Sequence, residues 1–140
     1  MPAIASSSTY KGVVYFAQHR GVTSPGRHFL VLLNEDPDAD IIVFGVITSG
    51  IDSAKARAER NGNVPETLVL VSPSDYPCLD HDSVVDCNSP VYFNRFEFDR
   101  TFGQLNASRK ADMPVDICDR IISGILASKQ VSQRIKKQIS

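Results

Sequence analysis

Arg27 and Thr48 stand at opposite ends of two apolar runs, and their side chains suit the same chemistry. Arg27 follows the loop-type segment His19 to Gly26 (HRGVTSPG) and opens the run Arg27 to Leu33; Thr48 closes the run Ile41 to Ile47. If the two runs are neighbouring antiparallel strands, the entry of one lies beside the exit of the other. A guanidinium is planar, permanently charged and matched to phosphate oxygens, and a hydroxyl beside it adds a donor to the same anion. Ser49 supplies a second hydroxyl. His19 and Arg20 precede Arg27 in the loop, where a histidine can act as acid or base. Lys55, Arg57 and Arg60 make a local basic patch within the polar stretch Thr48 to Glu66, diluted by Asp52 and Glu59. As a mobile loop it would guide a phosphate backbone by electrostatics. Plainer readings stand beside these: a solvated strand-end arginine, a β-branched strand terminus, an exposed loop histidine and a solvated helical loop. Strand alternation turns His28 away from Arg27, so His28 reads as structural.

The elements that must position these residues are short and mostly β. Segments rich in β-branched and aromatic residues and bounded by turn formers predict strands at Gly12 to Gln18, Arg27 to Leu33, Ile41 to Ile47, Thr67 to Ser72, Ser83 to Cys87 and Val91 to Phe98. The Ile41 to Ile47 run is almost uniformly apolar, which predicts burial on both faces. Asp52 or Ser53 would cap a short helix ending at Asn61-Gly62. The period then changes. Ile117, Ile121 and Ile125, widened by Ile122 and Leu126, mark an amphipathic helix with Asp112 as its expected N-cap and Pro114 in its first turn. A second stripe, Val131, Ile135 and Ile139, carries Lys129, Arg134, Lys136 and Lys137 on its other face; it packs on the sheet or meets a partner, as part of the same helix or as a separate one. The expected fold is mainly β (α+β): a small SH3-like antiparallel barrel of about six strands with C-terminal helix. Residues 1–9 read as a disordered tail, 10–127 as the barrel with its helix, and 128–140 as a helical extension.

Bulk composition narrows the function classes. The formal net charge of −1 means that nucleic-acid binding would need a local patch. No apolar run approaches the ~20 residues of a membrane span, and no signal sequence is evident, so a cytoplasmic protein with no membrane partner is expected. Three cysteines with no metal-type spacing fit free thiols in a reducing compartment. Cys78, Asp80, His81 and Asp82 crowd one turn in a pattern that suits neither tetrahedral zinc nor a calcium loop, so no metal and no cofactor is expected. Among Tyr15, Phe16, Tyr92, Phe93, Phe96 and Phe98, a few could form a base-stacking platform while most fill the core.

Several segments, in order, resemble the MazF/PemK toxins of toxin–antitoxin systems. They are Lys11-Gly12-Val13-Val14-Tyr15-Phe16, then Gly26-Arg27-His28-Phe29-Leu30-Val31-Leu32, the apolar strand ending Ile47-Thr48-Ser49, and Leu79-Asp80-His81-Asp82-Ser83-Val84-Val85. The resemblance implies an SH3-like barrel that forms a homodimer, cleaves single-stranded RNA without a metal, and is inhibited by a cognate antitoxin in the groove beside residues 48–66. It implies that Arg27 and Thr48 are the catalytic arginine and threonine. His28 replaces the family's usual proline, and the family's Glu-Gln pair before Arg27 is missing, where His19 could stand in for the glutamate. Two alternatives remain: the same barrel as a non-catalytic binding module, and a gyrase poison of the CcdB type, which this chain, lacking tryptophan, matches less well.

Overall fold

Strand β3 (Ile41–Thr48) is the centre of the architecture, and the run IIVFGVIT explains why. A strand with apolar side chains on both faces is stable only when both faces are covered. In the structure, a computed structural model that describes residues 11–18, 26–104 and 108–140, both are. Ile41, Val43 and Ile47 enter one core cluster with Val69, Val71, Val85, Ile117, Ile121, Ile125, Ile135 and Ile139. Ile42 and Phe44 enter a second with Tyr15, Leu30, Leu32, Phe93 and Phe98.

One edge of β3 pairs antiparallel with β2 (His28–Leu32), Phe29 opposite Ile47 and Leu32 opposite Phe44. The other edge is shared. Its first half takes β6 (Val91–Asn94) and its last two residues take β5 (Ser83–Asp86). Beyond β2 lie β1 (Val14–Ala17) and then β7 (Ser108–Lys110); beyond β5 lies β4 (Leu68–Val71). The fold is therefore α+β and mainly β, as the sequence indicates. Among the described residues it differs from the expected barrel in two respects: seven strands are present, and the sheet, in the order β4-β5-β3-β2-β1-β7 with β6 on β3, is not closed.

Among the described residues four helices cover the sheet. Helix α1 (Ile51–Arg60) replaces most of the expected mobile loop; it starts at Gly50 and not at Asp52 or Ser53, and a 3-10 turn (Pro65–Thr67) leads on to β4. Helix α2 (Arg95–Gln104) takes the second half of what reads as a strand to Phe98. The cause is a reciprocal cap: the Glu97 N–H donates to Asn94 Oδ1 at 2.7 Å, and the Asn94 N–H donates to Glu97 Oε1 at 3.1 Å. Helix α3 (Val115–Ala127) begins after Pro114, while Asp112, the expected cap, instead pairs with Arg109 at 3.3 Å. A separate helix α4 (Gln133–Ile139) follows, capped by Ser132, whose side chain accepts the Ile135 N–H; Ile135 and Ile139 pack inward.

Asn34 holds this assembly in register. It is fully buried; its Nδ2 donates to the Ile41 carbonyl at 2.9 Å and to the Gln138 carbonyl at 3.3 Å, and its Oδ1 accepts the Val43 N–H at 2.7 Å. One side chain thus stands in for a ladder residue between β2 and β3 and ties α4 to both. Gly124 is a second fixed point, because a Cβ there would lie 2.7 Å from Cys87 Sγ and 2.8 Å from the Glu66 carbonyl. The three cysteines are free, and Cys87 and Cys118 are buried. Burial pushes the Cys87 thiol up to about 12 and the Cys118 thiol up to about 11 from an ordinary 9.0.

Asn34→Ala leaves the Ile41 carbonyl and the Val43 N–H unpaired in the core, and should lower stability in urea unfolding by about 2–4 kcal/mol. Gly124→Ala should cost about 1–3 kcal/mol by overpacking, whereas alanine at an exposed helical glycine would be neutral or better. Thiols whose folded pKa is raised add stability that is complete below pH 9.0 and lost as pH rises towards 11 and 12. The urea midpoint should therefore fall reversibly above pH 9.0, with a shallower fall in Cys118→Ala.

Candidate functional site

The register locked by Asn34 decides which side chains meet at the far end of β2 and β3. Gly26, at φ +91°, turns the chain into β2. Phe29 is opposite Ile47, and both belong to the face covered by α3. Alternation sends Thr48 and His28 to the other face and brings Arg27 back to the face of Phe29. Arg27 and Thr48 are thus at the same end of the sheet, as expected, but on opposite faces. Extending the register by two rows, just past the ends of both strands, sets Ser49, not Thr48, opposite Arg27. The Thr48 hydroxyl is occupied locally, accepting the Gly50 N–H at 3.2 Å.

What Arg27 does meet is Phe16. Its guanidinium carbon lies 5.9 Å from the centre of the Phe16 ring. Strand β1 runs between β2 and β7, with Phe16 opposite Phe29 on one side and opposite Ser108 on the other. Lys110, two residues from Ser108 and so on the same face, places its Nζ 5.8 Å from the same ring centre. Two cations from the two flanking strands therefore converge on one phenyl ring. Behind it the rings continue inward. Phe16 and Phe29 are 4.7 Å apart, Phe29 meets the buried Tyr76 edge-on at 6.0 Å, and the Tyr76 hydroxyl donates to the Ala111 carbonyl at 2.5 Å. Burial and the neighbouring Cys78 raise the Tyr76 pKa, so that hydroxyl stays protonated and holds the row in place.

What sets these two cations apart is their convergence on one ring, for among the described residues Lys55, Arg60 and Arg100 also lack an ion pair, and Arg100 alone stands over the exposed Phe96. Lys11 pairs with Glu35 and Asp119, Arg57 with Asp86 and Arg109 with Asp112. Among the described residues no carboxylate pairs with Arg27 or Lys110. Like charges gathered without a counter-ion favour an anion from outside, and a partly exposed ring between them favours one that carries a flat base.

The other expected residues are dispersed. His19 and Arg20 lie outside the described residues. Lys55, Arg57 and Arg60 lie on the ordered α1, where Lys55 and Arg60 point about 140° apart around the axis and Arg57 is held 3.3 Å from Asp86. They do not form one patch. His28 is half-buried on the face away from Arg27, in keeping with a structural role, although its Nε2 is buried without a hydrogen-bond partner. Asp80, His81 and Asp82 are exposed, and among the described residues no three His, Cys, Asp or Glu side chains gather as metal ligands. Among the described residues no helix is long and apolar enough to cross a membrane. Lys110 escapes sequence reading because β7 is three residues long, two of them charged, and carries no strand signal of its own. No family model and no curated protein matches this chain.

Proposed function

We propose that the protein engages single-stranded RNA on the ring of Phe16, between Arg27 and Lys110, and cleaves it without a metal ion as a toxin-like endoribonuclease held in check by an antitoxin. The observation that carries the RNA is the pair of cations without carboxylate partners over one partly exposed aromatic ring. A base stacks on the ring in a sequence-tolerant way, and the phosphates on either side lie against the guanidinium and the ammonium. Cleavage draws on the resemblance of Gly26-Arg27-His28-Phe29-Leu30-Val31 to the toxin strand, in which the arginine is the catalytic group. In that reaction the 2′-hydroxyl gives up its proton to solvent as its oxygen bonds to the adjacent phosphorus, the bond to the 5′-oxygen breaks, and the leaving oxygen takes up a proton from solvent. A 2′,3′-cyclic phosphate and a 5′-hydroxyl result. Arg27 stabilises the extra charge on the phosphorane. Ser49, in its row, is the hydroxyl available to position the phosphate, in place of Thr48.

The opposed faces of Arg27 and Thr48 favour a second reading, a binding module on the same open sheet that holds RNA without cutting it. One experiment separates the two: a long unstructured RNA incubated with the full chain in EDTA, with binding and cut ends both measured. Cyclic phosphate ends that disappear in Arg27→Ala support the endoribonuclease. Binding without cuts supports the module. Lys110→Ala should weaken binding across all sequences and reduce the slope of log affinity against log salt by about 0.7. Phe16→Leu should cost about 1–3 kcal/mol of binding through the lost stack. RNA that neither binds nor is cut contradicts both readings.

A further inference from the structure

Strand β4 is one outer edge of the sheet, and its exposed backbone has a definite pattern. The Cys87 N–H donates to the Thr67 carbonyl at 2.8 Å, which makes Thr67 and Cys87 a hydrogen-bonded pair. Such pairs recur every second residue, so Val69 and Val71 direct their backbone groups to Val85 and Ser83. Leu68 and Leu70 therefore present theirs outward. The outward Leu70 carbonyl is taken by Arg120 Nη2 of α3, at 3.1 Å. On the opposite edge, β7 carries Arg109 and Lys110, the kind of charged strand that discourages edge-to-edge pairing. The β4 sequence LVLV has no charge at all, and Leu70 is 50% exposed. Between this edge and α3 runs a groove of about 550 Å³ lined by Glu66, Leu68, Leu70, Asp119, Arg120 and Ser123.

We propose that β4 pairs with β4 of a second copy of this chain, antiparallel about a two-fold axis through Val69, so that the sheet continues across the dimer. Leu68 of each copy then faces Leu70 of the other, and each pair exchanges two backbone hydrogen bonds. The four leucines close into one apolar strip on the face away from α3. The charges select a second copy over an unrelated strand. Arg120 sits at the Leu70 end of the groove and Glu66 at the Leu68 end, so the two-fold axis brings Arg120 of one copy towards Glu66 of the other, twice. A surface whose positive and negative ends exchange under a half-turn is the mark of an isologous interface. Glu66 has no ion-pair partner among the described residues. When Arg120 swings to Glu66 of the second copy, it frees the Leu70 carbonyl for the new ladder. Arg120 is thus the latch that covers the edge in the single chain and the clasp that closes the pair.

Sedimentation equilibrium of the full chain tests this. The chain should form a reversible dimer. Arg120→Glu and Glu66→Arg should each weaken it by about tenfold or more, and the double variant Glu66→Arg/Arg120→Glu should recover most of the loss. Both side chains are exposed, and recovery in the double variant separates a lost pairing from a lost fold. Leu70→Lys, with a urea midpoint equal to that of the parent chain at concentrations dilute enough for both to be monomeric, should leave only monomer. A chain that is monomeric at ~1 mM, a dimer indifferent to Leu70→Lys, or a double variant no better than the single ones overturns the proposal.

Discussion

The register of β2 on β3 governs what this molecule can do, and one buried amide sets it. Asn34 satisfies the Ile41 carbonyl and the Val43 N–H just beyond the last paired residues of β2, and binds the end of α4 through the Gln138 carbonyl. Because side chains alternate with a period of two, a slip by one residue would exchange the two faces of β2. Phe29 would leave the α3 side while Ile47 stayed on it, and the Phe16, Phe29 and Tyr76 row could not form. The same register puts Arg27 on the face of Phe16 and Thr48 on the other. Core packing and the chemistry at the sheet end are consequences of one hydrogen-bonding decision in the β2–β3 connection.

Much of the scaffold can be read from residue types. The IIVFGVI run announces a strand covered on both sides, and its two side-chain sets enter separate clusters. The isoleucines at 117, 121 and 125 announce the helix that covers one of them. The misreadings have specific causes. Val91 to Phe98 alternates like a strand, but the Asn94 and Glu97 side chains form a helix cap that outweighs the alternation after Asn94. Asp112 reads as a helix cap on residue type, yet Arg109 is close enough to claim it. Closure into a barrel is a property of long-range pairing, which local patterns do not encode.

The candidate site was legible only in part. Arg27 could be found from its place between a glycine-rich turn and an apolar strand. The hydroxyl in its row could not, because whether Thr48 or Ser49 stands there hangs on a single residue of register, and that register is set by a side chain seven residues before the β3 strand begins. Phe16 stands out only as one aromatic among several. Lys110 becomes visible once β7 is seen beside β1. The basic residues of α1 look like a patch in linear sequence but point different ways on a helix, and one of them is neutralised by Asp86.

Chemical-shift mapping on labelled protein during titration with a short unstructured RNA tests the central claim most directly. If the Phe16 ring with Arg27 and Lys110 forms the binding surface, the largest changes fall on β1, the start of β2 and β7, and reach Phe29 and Tyr76 behind them. Changes confined to α1, or to the face that carries His28 and Thr48, would contradict it.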